Sequence, residues 1–244
     1  MRCEFMDSTV LSIESMIPVI IEDIRNWFAE NCPTGPAVLG ISGGKDSTVV
    51  AKLLADALGS RRVIGVLMPN GTQVDIDDSY KVIKFLGIQN CEVNIQNTTE
   101  GLYFDVERAL GVPISPKAIT NVPPRIRMTT LYAIAQTLGG VVVGTGNASE
   151  IYLGWFTKWG DGANDYNFLK DYTATEVIAL GDALGLPYEL VHKTPSDGLC
   201  GKSDEEKFGF TYQVLDDYIR GKAVPPDDIK AKIDQMHNST THKR

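Results

Sequence analysis

Gly40-Ile41-Ser42-Gly43-Gly44-Lys45-Asp46-Ser47-Thr48 follows directly on the short apolar run Ala37-Val38-Leu39-Gly40-Ile41. Such a run, bounded by turn residues, reads as a buried strand. The polar Gly-rich turn then gives way to a helical pattern from about Ser47 to Leu58. Strand, Gly-rich turn and helix in that order present backbone N–H groups at a helix N-terminus, which attracts phosphate. The turn is not a Walker A loop, because Lys45 is followed by Asp46 rather than Ser or Thr, and it is not G-x-G-x-x-G. A plain helix cap has no need of two glycines, a lysine and an aspartate at the end of a buried strand. The stretch therefore reads as an anion-binding loop.

Outward from this loop the pattern repeats. Upstream, residues 7–30 read as one helix, with Leu11, Met16, Ile17, Ile20, Ile21, Ile24, Trp27 and Phe28 at three- and four-residue spacing. Downstream come a strand over 63–68, a helix over 76–86, a strand over 91–95 and a helix over 98–110. A Pro-rich break follows over 112–124, then a helix over 126–138 and a strand over 141–144. Strands alternating with helices predict an α/β fold: a doubly wound parallel sheet with right-handed crossovers. Ligands on such a sheet bind at the carboxyl ends of strands, so chemistry is expected just after residues 41, 68 and 143.

Composition narrows the class. The chain has 244 residues, 43% of them hydrophobic, and a formal net charge of −8. That balance argues against a non-specific binder of nucleic acid or membrane surface, which needs a basic face. No apolar run is long enough for a membrane-spanning helix. Glu4, Asp7 and Glu14 interrupt any secretory signal at the start. Cysteines at 3, 32, 91 and 200 form no Cys-x-x-Cys pair and read as reduced thiols of a cytoplasmic protein. The three histidines give no metal-ligand pair. No linker or repeat divides the chain, so residues 1–244 are expected to form a single domain.

A second informative region follows the last strand: Gly144-Thr145-Gly146-Asn147-Ala148-Ser149-Glu150, then Gly154 to Asp165. Glu150 is a second carboxylate at a second strand end, suited to sharing a cation with Asp46. Mg²⁺ is typically held by one or two carboxylates together with phosphates. Residues 154–165 mix aromatics, glycines and charges, a composition poor for helix or strand and apt for a rigid binding loop. Trp155 and Phe156 are candidates there for stacking on a base.

The Ser42-Gly43-Gly44-Lys45-Asp46-Ser47 stretch resembles the S-G-G-x-D-S motif of PP-loop, or N-type, ATP pyrophosphatases. The resemblance narrows with three further segments, and the chain is similar to the ammonia-dependent NAD synthetases. These are Asn121-x-x-x-Arg125-x-Arg127-Met128; Gly154-x-x-Thr157-Lys158-x-Gly160-Asp161; and Lys193-Thr194-Pro195-Ser196 with Ser203-Asp204-Glu205 and Gly209-Phe210-x-Tyr212. The closing His242-Lys243-Arg244 also fits.

The resemblance implies an adenine nucleotide α-hydrolase-like, Rossmann-like fold and a ligase reaction. Deamido-NAD would be adenylylated by ATP and then amidated by ammonia, giving NAD, AMP and pyrophosphate. It implies that Gly40, Ile41, Ser42, Gly43, Gly44, Lys45, Asp46 and Ser47, with Thr145 and Ser196, bind ATP. Lys45 and Asp46 would be catalytic, and Asp46 and Glu150 would hold Mg²⁺. Arg125, Lys158, Asp165, His242 and Lys243 would contact deamido-NAD. It further implies a homodimer, with helix 7–30 expected in the interface, and no glutaminase domain. A different PP-loop ligase, such as a tRNA-modifying enzyme, is the alternative. A nucleotide-binding module without turnover is another.

Two positions depart from the family pattern. Pro123-Pro124 stiffens the approach to Arg125. Ala174 stands where relatives commonly carry an ATP-contacting lysine, and Lys170 is the expected compensating cation.

Overall fold

The computed structural model of the chain describes residues 12–73, 75–193 and 203–244. Its centre is a parallel sheet of four strands in the order β3-β2-β1-β4: β1 Ala37–Gly40, β2 Val63–Leu67, β3 Gln89–Glu92 and β4 Val141–Val142. Register runs Ala37 against Val63 on one side of β1 and Ala37 against Val141 on the other. The chain moves outward from β1 through β2 to β3, then returns to the opposite edge of β1 as β4. The β1/β4 boundary is thus a topological switch point, where the loops leaving two neighbouring strands diverge and open a crevice.

Side chains of the central strands alternate between two apolar layers. Ala37 and Leu39 point into the larger core with helices α1 (Ile13–Asn31), α2 (Lys45–Leu58), α3 (Ile76–Leu86) and α7 (Ala174–Ala183). Val38 and Val66 point into a smaller layer with Met68, Ile95 and Ala135, under α4 (Gln96–Leu110) and α5 (Pro116–Thr137). Both faces are therefore covered, as a parallel sheet requires. Of the predicted helix 7–30, residues 7–11 lie outside the described residues. The described part buries Ile20, Ile24 and Phe28 in the chain's own larger core.

The Pro-rich stretch breaks the helices only over 111–115, not to 124. Helix α5 starts at Pro116, after the N-cap Ser115, and runs through Pro123 and Pro124. Proline interrupts a helix because it lacks an N–H and so orphans the carbonyl four residues back. Here the carbonyl orphaned by Pro123 belongs to Ile119, and the Tyr103 hydroxyl of α4 donates to it at 3.0 Å. A neighbouring helix supplies the missing donor. The third strand is also displaced, to 89–92 from the expected 91–95, and β4 is two residues long.

Beyond the carboxyl ends of the strands lies a helical layer. α6 (Ala148–Leu153), α10 (Tyr212–Ile219) and α11 (Asp227–Ser239) share an apolar cluster of Leu153, Ala174, Phe208, Tyr212, Leu215 and Ile233. This layer roofs the crevice. Among the described residues, no helix is long and apolar enough to cross a membrane.

Candidate active site

The loop after β1 is shaped by its small residues. Gly43 has φ +76°, and a Cβ there would stand 2.7 Å from Cβ of Asp78 and 2.8 Å from the Ser79 nitrogen. Only glycine fits both the left-handed backbone and the close approach of α3. The Ser79 hydroxyl donates to the Ile41 carbonyl at 3.0 Å and ties the loop to that helix. Inside the loop, the Ser42 hydroxyl accepts from the Gly44 N–H, and the Ser42 and Ser47 hydroxyls stand 3.1 Å apart. Gly44 is the N-cap of α2 and brings no side-chain acceptor. The first-turn N–H groups of α2 thus keep their capacity for an anion, at the positive end of the helix dipole.

Lys45 is almost wholly buried, and its ammonium lies 2.7 Å from Asp46 Oδ2. Burial pulls the lysine pKa down, but the charges of Asp46 and Glu150 outweigh it and hold the group above its ordinary value. Across the crevice, Glu150 sits in the first turn of α6. Its surroundings and the neighbouring Asp46 charge push its pKa up to about 8, against the opposing pull of Lys45. Two carboxylates thus face one ammonium in a low-dielectric site. A divalent cation would take the place of the proton that Glu150 otherwise holds at neutral pH. Among the described residues, no group of three or more His, Cys, Asp or Glu is arranged to hold a metal. A pair of carboxylates with room for phosphate oxygens is the donor set of Mg²⁺ rather than of a closed structural site.

Asn147 links the two acids. It is fully buried as the N-cap of α6. Its Nδ2 donates to Asp46 Oδ1 at 2.9 Å, its Oδ1 accepts from the Glu150 N–H at 3.0 Å, and its own N–H donates to Glu150 Oε2 at 3.1 Å. Sequence reading missed this residue, although Asn-x-x-Glu is a capping-box pattern that marks a helix start. Thr145 lies between β4 and this cap. Ser196, with the rest of 194–202, lies outside the described residues.

The expected substrate contacts gather on the loop from Gly154 to Asp165 and the end of the chain. Arg125 Nε donates to the Lys158 carbonyl at 3.3 Å, and Lys158 Nζ donates to the His242 carbonyl. Lys243 Nζ donates to the carbonyls of Gly154 and Phe156, both at 2.7 Å. Arg125, Lys158, His242 and Lys243 therefore form one neighbourhood. Asp165 differs. Its Oδ2 accepts from the Val142 N–H at 2.8 Å and its Oδ1 from the Tyr132 hydroxyl at 3.1 Å, so its carboxylate anchors the loop to the end of β4.

The aromatic residues of the loop are mostly packing residues. Trp155 lies edge-on to Phe208, and Phe156 lies against Gly162. Trp159 is the exception: it is 67% exposed with φ +59°, and the Lys158 ammonium lies over its ring. The half-buried Arg127 was noted only as part of a motif. Its Nε donates to the Met68 carbonyl at 3.0 Å, fixing the chain after β2. Asp161 accepts from the Thr157 N–H at 2.9 Å and braces the turn of the loop.

Ala174 is buried against Leu153, Phe208 and Tyr212 at the start of α7. Its N–H donates to Ser149 Oγ, and the neighbouring Thr175 N–H donates to Asp216. Lys170 does not compensate for it at the crevice. It is exposed in the turn 169–171, lining a groove with Asp23 and Trp27 of α1.

Comparison with known proteins agrees with this geometry. The NAD synthase family model matches residues 17–244. The NH(3)-dependent NAD(+) synthetase of Pyrococcus furiosus is 38% identical, over 96% of this chain and 93% of its own length. The enzyme of that name from Alkaliphilus metalliredigens is 37% identical, over 96% of this chain and 97% of its own. Among solved structures, the NMN synthetase of Francisella tularensis superposes with a TM-score of 0.83 at 34% identity, covering 93% of this chain and 95% of that one. A glycine turn on an uncapped helix, two carboxylates across a switch-point crevice and a match over nearly the whole chain lead to one conclusion: the chain belongs to the NAD synthase family.

Proposed function

We propose that this chain is an ATP-dependent ligase that amidates the nicotinate carboxylate of deamido-NAD with ammonia. The observation that carries the reading is the uncapped N-terminus of α2, with Lys45 set among Asp46 and Glu150, in a member of this family. A carboxylate oxygen of the substrate attacks the α-phosphorus of ATP, and the bond to the β-phosphate bridging oxygen breaks. Pyrophosphate leaves, and an acyl-adenylate forms. Ammonia then attacks the acyl carbon, and AMP leaves with its oxygen while nitrogen loses a proton to solvent. The first nucleophile is already an anion, so no Ser-His or Cys-His pair is needed.

Catalysis in this reading is positioning and charge neutralisation. The α2 N–H groups and the Lys45 ammonium receive the leaving pyrophosphate. Asp46 and Glu150 would hold Mg²⁺, which when bound supplies further neutralisation on phosphate oxygens. Thr145 borders the ATP side of the crevice, with Ser196 expected there too. Arg125, Lys158, His242 and Lys243 receive the anionic substrate, Arg125 being suited to a bidentate grip on phosphate. Asp165 serves the substrate indirectly, by holding its loop. The protein acts in the cytoplasm on small molecules, without a nucleic-acid or membrane partner, as one domain that takes free ammonia.

The test is pyrophosphate release. The purified chain should release it from ATP only with deamido-NAD and Mg²⁺, and should form NAD with ammonium but not with glutamine. Turnover on a tRNA and none on deamido-NAD would refute the assignment.

A second reading rests on the likeness to the Francisella tularensis NMN synthetase. The same chemistry on nicotinic acid mononucleotide would give NMN. Comparing kcat/KM for the mononucleotide and the dinucleotide decides between them.

The reading includes a homodimer formed through α4 and α5 rather than through α1. Of the 22 residues of α5, Ala135 alone falls among the fully buried ones. Ile126, Thr130, Ala133 and Thr137 recur at four- and three-residue spacing along a groove of about 460 Å³ completed by Thr98 of α4. Small residues at that spacing let a second helix approach closely. α5 carries no acid and, outside the site, the cation Lys117, whereas α4 carries Glu100, Asp105 and Glu107 against Arg108. A two-fold axis that sets α4 of one copy beside α5 of the other pairs opposite charges.

A further inference from the structure

We propose that Asn147 is a positioning residue that fixes the geometry of the cation-binding carboxylates, an inference that rests on reading Asp46 and Glu150 as cation ligands. Asp46 stands beside a buried ammonium that takes its Oδ2 at 2.7 Å. Left to that partner alone, the carboxylate would turn toward Lys45. The Asn147 amide takes the other oxygen, Oδ1, at 2.9 Å, so two donors on opposite oxygens set the plane of the carboxylate. One lone pair on each oxygen remains for a cation.

The amide is itself held. Its Oδ1 accepts from the Glu150 N–H, which fixes the flip and leaves Nδ2 aimed at Asp46. The Asn147 N–H meanwhile takes Glu150 Oε2 and draws the second carboxylate back over the helix start. One fully buried side chain thereby couples acids 104 positions apart in sequence, one on each side of the switch point. Helix capping alone does not require an amide. Ser and Asp cap as well as Asn, and Gly costs only a few tenths of a kcal/mol more. Serine is too short to reach Asp46, aspartate has no proton to donate, and glycine has no side chain. Of these caps, asparagine alone both accepts from the helix and donates to a carboxylate. Partners that orient metal ligands typically carry 10–100-fold in metal affinity.

The test uses the full chain with Asn147→Ser and Asn147→Gly, two caps of similar quality that both lack the donor to Asp46, and with Asp46→Asn as the control. Mn²⁺ binding is read from the free-ion EPR signal, with and without α,β-methylene-ATP, alongside the unfolding temperature and the Mg²⁺ dependence of turnover. The expected result is a roughly 10–100-fold weaker Mn²⁺ affinity in both Asn147 variants. Unfolding temperatures should stay close to wild type, and Mg²⁺ half-saturation should rise more than kcat falls. If Asp46→Asn loses Mn²⁺ while both Asn147 variants bind it as wild type does, Asn147 is only a cap and the proposal is overturned. If Asp46→Asn binds Mn²⁺ as tightly as wild type, the cation reading itself is wrong and the positioning role goes with it.

Discussion

Lys45, Asp46 and Glu150 share one crevice, where two acids compete for one base. That imbalance costs stability in the free protein and is recovered when a cation or its phosphate complex arrives. Asp46→Asn and Glu150→Gln should each lower kcat by about 100-fold or more, because each removes charge that would hold the cation. Without Mg²⁺, Glu150→Gln should unfold at the same temperature or higher as pH rises toward and past about 8, since it removes a carboxyl that is held protonated in the fold and would otherwise ionise beside Asp46. A glutamine variant that loses activity together with stability would point to a structural carboxylate instead. These three residues were legible in sequence because each stands in a motif just past an apolar run. Asn147 was not, because what matters there is a bond across the switch point. Ala174 was misread for a related reason. The family pattern places a cation there, but the position lies inside an apolar cluster with Leu153, Phe208 and Tyr212. Ala174→Lys should therefore destabilise, by roughly 1–3 kcal/mol for an overpacked cluster and more if the ammonium is trapped. Lys170→Ala should leave KM for ATP unchanged, because Lys170 is exposed on the α1 side. A tenfold rise in that KM would return Lys170 to the site.

Elements obey their neighbours as well as their own propensities, and α5 and the 154–165 loop show this in opposite directions. Two adjacent prolines read as a helix break when the sequence is taken alone. At Pro123 the lost bond is replaced by Tyr103, on a different element, which satisfies the Ile119 carbonyl. No local rule contains that information. The loop, by contrast, was legible as a rigid non-helical segment, and it is pinned at Asp161, Asp165 and Lys158. Its strain sits at Trp159, whose left-handed backbone costs a non-glycine residue about 1–2 kcal/mol. The side chain is mostly exposed, so removing it loses little packing. Trp159→Gly should accordingly hold or raise the unfolding temperature, and Trp159→Val, β-branched and worse in that conformation, should lower it. If glycine also destabilises, the indole is supporting the loop and strain is not its dominant feature. Strain retained at an exposed aromatic beside Lys158 is more readily explained by function than by folding.

At the scale of the molecule, alternating strands and helices foretold the parallel doubly wound sheet and the position of the site at its carboxyl edge. The pattern could not foretell which helix faces remain uncovered, because an apolar stripe looks the same whether its partner lies in the same chain or in another. The stripe of α1 was read as an interface, yet Ile20, Ile24 and Phe28 lie in the chain's own core. Deleting the first 28 residues should therefore yield insoluble protein and says nothing about assembly. The α4–α5 face has the opposite character. Leu102, Leu110, Ile119 and Leu138 are each more than two-fifths exposed. A 22-residue helix is about 33 Å long, and with a second helix about 10 Å wide beside it the face offers roughly 700 Å² per protomer. Two such faces approach the burial of a standard stable interface. Wild-type protein should therefore sediment at twice 26.7 kDa. Thr130→Arg and Ala133→Glu, made separately, each place a charge in the groove and should each sediment as a monomer with its helical circular dichroism intact. Wild-type protein that sediments as a monomer, or single variants that remain dimers, would remove this face from the assembly.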